Sequence, residues 1–477
     1  MAPSADKPVP PLCVDLDGTL IRSDVLLESL LLLVKKNPLY LFCVPWWLLR
    51  GKAALKAQIA SRVSLHAATL PYDQGLLEWL KAERGTGRGL WLCTAADRRP
   101  AADIAAHLGL FDGLLASDGT TNLAGSAKAE QLVQRFGEGG FDYCGNESSD
   151  LAVWRRARGA IVVRGSRRLQ RAAAEQTQVL RVFPETIDTA AAVIRTMRPH
   201  QWAKNVLILV PLLAAHLHDL THVAQTVLAT VSFCLCASSV YVLNDLLDLP
   251  ADRTHPRKSR RPFASGDLSV AAGLVIAPVL LAVAIGLAVL LPVKFQLVFA
   301  AYYIITVSYS FALKGIVLVD ALLLASLYTV RIIAGAAAAE VPLSFWLLLF
   351  AVFLFLSLAF VKRFAELEAL RSRQLLRAAG RGYHVEDLPL LQSLGTASGY
   401  MSVLVLALYI NSPEIQALYH RPKFIWMLCV LMLYWISRVW MKAQRGSMHD
   451  DPVVFALKDR VSLAIGLLAA VTVAAAI

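Results

Sequence analysis

The chain runs to 477 residues, of which 57% are hydrophobic, with a mean hydropathy of +0.54 and a formal net charge of +12. That much apolar sequence excludes an ordinary soluble globule. The cations sit mostly in short blocks between apolar runs, which excludes a nucleic-acid surface and favours anionic lipid and phosphate as partners. The seven cysteines are scattered and lack zinc spacing, so no disulfide is expected, and Cys234-x-Cys236 reads as small residues inside an apolar span. Met1–Pro11 has no apolar core behind a basic start, so no cleaved signal peptide is expected. Polar sequence precedes about residue 200 and apolar runs follow it, which predicts two domains, 1–190 with a linker and 191–477.

At the N-terminus, Leu12-Cys13-Val14 predicts a short strand that ends at Asp15-Leu16-Asp17-Gly18-Thr19-Leu20. A second strand, Gly89–Cys93, ends at Thr94; Lys128 follows, and Phe141–Cys144 leads as a strand into Gly145-Asn146-Glu147-Ser148-Ser149-Asp150. Four motifs in this order, covering about residues 11–165, resemble the haloacid dehalogenase superfamily of phosphatases. The resemblance implies a Rossmann-like α/β domain that binds phosphate at the carboxyl ends of a parallel sheet. It implies Asp15 as the nucleophile that forms an aspartyl-phosphate and Asp17 as acid, then base. Thr94 would hold the phosphoryl group, Lys128 would neutralise it, and Asp15, Asp17, Asn146 and Asp150 would hold Mg2+. Asn146 stands where the superfamily usually carries an acid, and Asp150 from the next turn would compensate for this weaker donor. A retained fold acting as a scaffold or regulatory module is the alternative.

Residues 21–88, between the first two motifs, predict a helical cap. Leu30–Val34 and Tyr40–Leu49, broken by Asn37-Pro38 and Pro45, are too short to cross a bilayer. A cap resting on the membrane is expected, with Trp46 and Trp47 in the headgroups and Lys35, Lys36, Arg50 and Lys52 facing lipid phosphate. Packing between cap helices is the alternative.

From about residue 203 the apolar windows 203–218, 223–246, 270–291, 295–312, 316–336, 342–361, 393–410, 423–440 and 461–477 predict nine transmembrane helices. With the N-terminal domain in the cytoplasm, the loops on its side hold roughly seventeen Lys and Arg, against about three on the other. This charge bias predicts a multi-pass inner-membrane protein with its C-terminus opposite the cytoplasm.

The run Asn244–Gly266, NDLLDLPADRTHPRKSRRPFASG, is the most informative of the chain. Asp245, Asp248 and Asp252 are spaced to share one helical face, so they can share one cation; unpaired, they would repel one another. Carboxylates suit Mg2+, which completes its shell with waters and phosphate oxygens. The basic tail, including Arg253, Lys258 and Arg261, supplies donors for further phosphate oxygens. The bland alternative is a juxtamembrane helix end with solvated acids. Three other segments join the same inward side: Lys204 and Asn205 after Trp202; Tyr309 and Lys314 leading to Asp320 and then Arg331; and Lys362, Arg363 and Glu366 with Arg381 in the following loop. Asp320, inside a span, requires a partner, either metal or one of Lys314 and Arg331.

These motifs, NDxxDxxxD with its DRxHPxKxxRP tail and YSxxLK with an Asp in the next helix, resemble the UbiA superfamily of intramembrane prenyltransferases over about residues 195–477. The resemblance implies an all-α membrane bundle, Mg2+ bound by two Asp motifs and a diphosphate leaving group. Asn244, Asp245, Asp248 and Asp252 match the first motif and Asp320 the second, where Leu324 replaces an acid that many members carry one turn later. RPHQWAKN and VDALLLASLYTVRIIAGA look most like the branch of decaprenyl-phosphate phosphoribosyltransferases. That branch implies phosphoribosyl diphosphate as donor and a polyprenyl phosphate as acceptor, with Lys204, Lys314, Arg331 and Lys362 available for the sugar's second phosphate. The product would carry a phosphate monoester that the N-terminal domain could remove, so a bifunctional enzyme is expected. A prenyltransferase acting on an aromatic acceptor with an accessory domain, and a membrane scaffold with both sites degenerate, are the rival readings. The oligomeric state stays open between monomer and homo-oligomer.

Overall fold

Six short strands form one parallel sheet: β1 (Leu12–Val14), β2 (Leu90–Asp97), β3 (Gly113–Ser117), β4 (Asp142–Gly145), β5 (Gly159–Val163) and β6 (Gln178–Phe183), in the order β3-β2-β1-β4-β5-β6. The computed structural model describes residues 9–215, 219–311, 313–372, 374, 381–413, 419–448 and 451–476; most of the Met1–Pro11 reading and the end of the 203–218 window lie outside them. Parallel neighbours need crossover helices, which cover both faces, so the inner strands are apolar throughout rather than alternating. Leu12, Cys13 and Val14 and all five residues of β5 are accordingly buried, while the edge strand β6 exposes Leu180 and Val182. Val14 of β1 registers with Leu92 of β2 on one side and Cys144 of β4 on the other. Strand order reverses direction at β1 and β4, and a crevice at their carboxyl ends is where such sheets bind ligands.

The cap residues form helices Val25–Lys36, Val44–Leu49, Lys52–Ala60 and Gln74–Gly85. Asn37 ends the first helix in an extended conformation and its side chain accepts the Leu39 N–H to start the next turn. Trp47 does not reach lipid as expected. It packs with Leu33, Leu55 and Ile59 inside the cap, and the Arg62 guanidinium lies 4.7 Å above its ring. Trp46 is 61% exposed, as are Phe42 and Leu49 to a greater degree, so the apolar outer face passes to these side chains.

Residue contacts divide the chain into two units, one holding the residues up to Met197 with Tyr241–Ala277, the other Arg198–Val240 with Pro278 onward. The sheet, the cap and the acidic-basic run thus belong to the first unit. Among the described residues six helices are long and apolar enough to cross a membrane: Leu220–Leu247, Val270–Val289, Val319–Ala338, Phe345–Arg371, Val385–Ile410 and Lys423–Gln444. A seventh span results if the pair Pro452–Lys458 and Arg460–Ala476, bent by 79°, counts as one. Nine were expected; the 461–477 window is the bent pair, and two further windows account for the rest of the difference. The 203–218 window is a tight 3-10 segment, Pro199–Leu209, followed by the short helix Val210–Ala214. The 295–312 window is a 19-residue helix, Val293–Phe311, whose Lys294, Gln296 and tyrosines leave it less apolar than the six.

Within the second unit, Phe233 packs on Tyr302 with ring centroids 4.7 Å apart, and Tyr328 stacks on Phe355 at 5.0 Å. Pro199–Leu209 lies against Val319–Ala338 where Gly335 removes a side chain: a Cβ there would stand 2.0 Å from the Ile208 carbonyl oxygen.

Candidate functional sites

In the first unit, Asp15, Lys128, Asn146 and Asp150 gather after β1 and β4, while β2 runs on to Asp97, so that Thr94 lies within the strand and not at its expected end. The Asp15 N–H donates to the Cys144 carbonyl, which fixes the turn after β1 beside the end of β4. Gly18, at φ +71°, lets that turn pass beneath Asn146; a Cβ there would lie 2.2 Å from the Asn146 amide nitrogen. Lys128 donates to Asp15 Oδ1 at 2.7 Å and to the Tyr143 hydroxyl at 2.8 Å, and Tyr143 donates to Asp150 Oδ1 at 3.1 Å. Thr94 is fully buried and its hydroxyl accepts the Ala96 N–H at 3.0 Å. Asp17 accepts the Val25 N–H at 2.8 Å.

Burial pushes the Asp15 carboxyl up to about 6, against the opposing pull of Lys128. Burial, reinforced by Asp24, holds Asp17 well above the usual carboxylate range. Burial lowers Lys56, whose ammonium donates to the Ala95 carbonyl and to Asn122. A small pocket beside it is lined by Val25, Leu26, Ile59 and Pro100. Burial thus raises both carboxyls, with Lys128 opposing it at Asp15.

Asp150 is placed differently from the expectation that it would compensate for Asn146 at a metal. Its Oδ2 accepts the N–H groups of Asn146 and Glu147 at 2.9 and 3.0 Å, so the carboxylate ties its own loop together. Asn146 instead turns its Oδ1 to the Thr19 hydroxyl at 3.0 Å, and the same hydroxyl reaches Asp15 Oδ2 at 3.4 Å. Oxygens of Asp15 and Asn146 therefore gather around one small polar group, a donor set that fits a hard cation completed by water and phosphate.

The acidic-basic run also changes from its expected form. The helix from Leu220 ends at Leu247, Asp248 adopts a non-helical backbone, and Leu249–Thr254 begins a new short helix with Pro250 in its first turn. Backbone hydrogen bonds from Asp248 to Asn244 and from Asp252 to Asp248 carry the chain across that break, and the three acids part there. Asp245 and Asp252, each 2% exposed, converge on one nitrogen of Arg261, which lies 3.0 Å from Asp245 Oδ1. Asp248 departs from them and accepts Lys35 at 2.8 Å. Among the described residues no three His, Cys, Asp or Glu side chains form a metal-sized group. Two carboxylates already sharing one positive nitrogen nevertheless fit a cation. Lys258 stands 3.9 Å from Asp252, and Asn244 is half-buried one residue before Asp245. Arg253, expected to face substrate phosphate, forms a buried fork with Glu28 instead.

In the second unit Asp320, 0% exposed, pairs with Arg363 and not with Lys314 or Arg331: Arg363 Nε lies 2.5 Å from Oδ2 and the Tyr309 hydroxyl donates to Oδ1 at 2.7 Å. Arg331 is buried against Asn205 Oδ1 at 2.7 Å, the Tyr302 hydroxyl at 3.1 Å and the Leu327 carbonyl. Lys204 and Lys362, far apart in sequence, both donate to Asp451 Oδ2 at 2.8 Å, and Tyr328 donates to its other oxygen at 2.9 Å. Lys314 sits half-buried in the turn Leu313–Gly315.

The pattern of the UbiA prenyltransferase family matches residues 206–470. The chain belongs to the UbiA family. It is 38% identical to the uncharacterized protein y4nM of Sinorhizobium fredii over 98% of this chain and 90% of that one, so the similarity takes in both units. It is 38% identical to the nodulation protein NoeC of Azorhizobium caulinodans over 56% of this chain and 87% of the relative. It is 32% identical to the decaprenyl-phosphate phosphoribosyltransferase of Mycobacterium tuberculosis over 60% of this chain and 94% of the relative. The protein is thus a multi-pass membrane enzyme of the UbiA family with phosphoribosyltransferase relatives.

Several residues of this UbiA-family chain escaped sequence reasoning. Asp451 gathers two lysines, and its only signal was an acid before Pro452 in a loop assigned to the same side as both. Tyr143, which links Lys128 to Asp150, looked like one more core residue of a strand. Glu28 looked like a lone acid in an apolar cap helix.

Proposed function

We propose that the chain is a bifunctional membrane enzyme. Its UbiA-type unit transfers the 5-phosphoribosyl group from phosphoribosyl diphosphate to a polyprenyl phosphate, and its N-terminal unit, a haloacid-dehalogenase-type phosphatase, removes the 5-phosphate to leave polyprenyl-phosphoryl ribose. One observation carries the reading: a membrane unit similar to phosphoribosyltransferases shares its chain with a buried Asp15–Lys128 pair at the carboxyl ends of a parallel sheet. A phosphate monoester made by the first step is a fitting substrate for the second.

In the transfer, a phosphate oxygen of the lipid attacks the anomeric carbon as the bond to diphosphate breaks, and no general base is needed. Positive charge builds on the sugar ring and negative charge on the leaving group, so cations fixed beforehand stabilise the transition state. Arg261 and Lys258 are assigned to the diphosphate. Lys204 and Lys362 are assigned to the 5-phosphate, because their convergence on a single carboxylate oxygen resembles what a phosphate oxygen would meet. Arg331 and Asn205 hold the wall behind Lys204. Mg2+, held by Asp245 and Asp252 at the transferase site and by Asp15 and Asn146 at the phosphatase site, would neutralise phosphate charge at each.

In the hydrolysis, an Asp15 oxygen attacks phosphorus and the bond to the ribose oxygen breaks, with Asp17 giving that oxygen its proton. Asp17 then takes a proton from the water that attacks the aspartyl-phosphate, and inorganic phosphate leaves. Lys128 keeps Asp15 ionised against its burial, and Thr94 holds the phosphoryl oxygens. Both sites are assigned to the cytoplasmic face of the inner membrane.

Mass spectrometry of the lipid formed from labelled phosphoribosyl diphosphate and polyprenyl phosphate tests both steps. Wild type is expected to yield the dephosphorylated ribosyl lipid, and Asp15→Asn the phosphorylated one. Absence of label from the lipid would refute the donor and leave transfer of a prenyl group to an aromatic acceptor. Identical lipids from both proteins would refute the second step.

A further inference from the structure

The helix Val25–Lys36 touches both proposed sites of the first unit. At its start the Val25 N–H donates to Asp17 Oδ1 at 2.8 Å. Ten residues on, about 15 Å along the axis, Lys35 Nζ donates to Asp248 Oδ1 at 2.8 Å and to the Leu247 carbonyl at 2.9 Å. Between these ends Glu28 receives Arg253 through both oxygens, at 2.8 and 2.6 Å. Glu28 and Arg253 have side chains only 3% and 5% exposed, and the third nitrogen of Arg253 donates to the Ala264 carbonyl at 3.2 Å. Each nitrogen of that guanidinium is occupied within the unit.

A planar fork buried on both sides tolerates little displacement, because an unpaired buried charge is costly. It therefore fixes how the helix lies on the acidic-basic run. Lys35 is what the helix delivers there. Its side chain is 43% exposed, and of its three donors two are used in the contacts above. Asp248, three residues after Asp245 and four before Asp252, holds this ammonium, while those two acids meet at Arg261.

We infer that Lys35 is a diphosphate-binding residue of the transferase supplied by the cap helix Val25–Lys36, and that the Glu28–Arg253 fork is the clamp that positions it. This rests on the reading of Asn244–Gly266 as the diphosphate site. Arg253, on this account, gives up contact with substrate to hold the helix that brings Lys35. The diphosphate site is incomplete without residues 25–36, so the cap that flanks the phosphatase motifs contributes to the first reaction as well.

Full-length protein in lipid nanodiscs provides the test. Calorimetry with inorganic diphosphate and Mg2+ is expected to show about tenfold weaker binding for Lys35→Met, the loss of one charge-assisted contact, and near wild-type binding for Lys35→Arg. With phosphoribosyl diphosphate, Lys35→Met is expected to raise KM by a similar factor and to change kcat much less. Glu28→Gln is expected to shift KM in the same direction through Lys35. Hydrolysis of a small phosphomonoester by Lys35→Met, unchanged from wild type, verifies that the variant is folded. Diphosphate affinity equal to wild type in Lys35→Met would overturn the inference. Wild type that binds diphosphate but transfers no phosphoribosyl group would instead overturn the choice of donor, and leave Lys35 in place.

Discussion

Buried carboxylates in this chain are held in two ways, and each sets a different expectation. Asp17 accepts one backbone N–H and is otherwise penalised by burial and by Asp24, so its folded-state pKa lies above its unfolded one. Between those two values the folded protein keeps a proton that the unfolded chain releases, so Asp17 contributes stability at low pH that is lost as pH rises through the folded pKa. In EDTA, Asp17→Asn should therefore unfold at a higher temperature than wild type at pH 8, by about 2–4 °C, with the gain vanishing near pH 4. A variant no more stable than wild type at pH 8 would place Asp17 in a better solvated setting than its contacts indicate. Asp320 is the other case, fully buried but paired. Arg363→Met strips its nearer cation, with Arg381 remaining 3.8 Å away, and should cost about 3–5 kcal/mol. Asp320→Leu together with Arg363→Met should recover much of that loss in thermal unfolding, since no charge is then left buried.

At the scale of elements, Gly335 sets how closely Val319–Ala338 approaches the tight segment Pro199–Leu209. Gly335→Ala should push that segment away by its Ile208 carbonyl and loosen the contact between Asn205 and Arg331, at a cost of about 1–3 kcal/mol. The measurement is thermal unfolding in detergent, and an unchanged midpoint would show that the segment yields freely. These contacts also mark how far sequence could be read. The strands were legible because β1, β2 and β4 are short apolar runs ending at polar loops, a signal that needs no tertiary information. Asp15, Lys128 and Asn146 lie within reach of one another through the Lys128–Asp15 pair and the Thr19 hydroxyl, whereas Thr94, expected at the end of its strand, lies inside β2. Partners across the fold were not legible: that Arg363 and not Arg331 answers Asp320, or that Glu28 answers Arg253, depends on packing between distant elements. The break at Asp248 was hidden for a related reason. An i, i+3, i+7 spacing places acids on one face only if the helix continues, and Pro250 starts a new one. Apolar windows gave more spans than the described residues show as long apolar helices, because a run of suitable length does not distinguish a straight helix from the 3-10 turns of Pro199–Leu209.

The whole molecule joins two proposed chemistries through a product that never leaves the bilayer. Linking sites in one chain raises the effective concentration of the second for the product of the first. Confinement of a polyprenyl lipid to two dimensions does the same without any linkage. The two effects separate when each activity is removed from a different copy. Asp15→Asn makes only the phosphorylated lipid on the proposed scheme, and Asp245→Ala makes none but keeps its phosphatase site. Reconstituted together in the same vesicles, they should restore the dephosphorylated lipid after a lag, because the intermediate must diffuse between copies. Reconstituted in separate vesicles, they should not, since the lipid cannot cross water between membranes at a comparable rate. Wild type should show no such lag. Equal yields from mixed and separate vesicles would mean that the intermediate is released as a soluble species, and the pairing of a membrane transferase with a tethered phosphatase would then need a different reason.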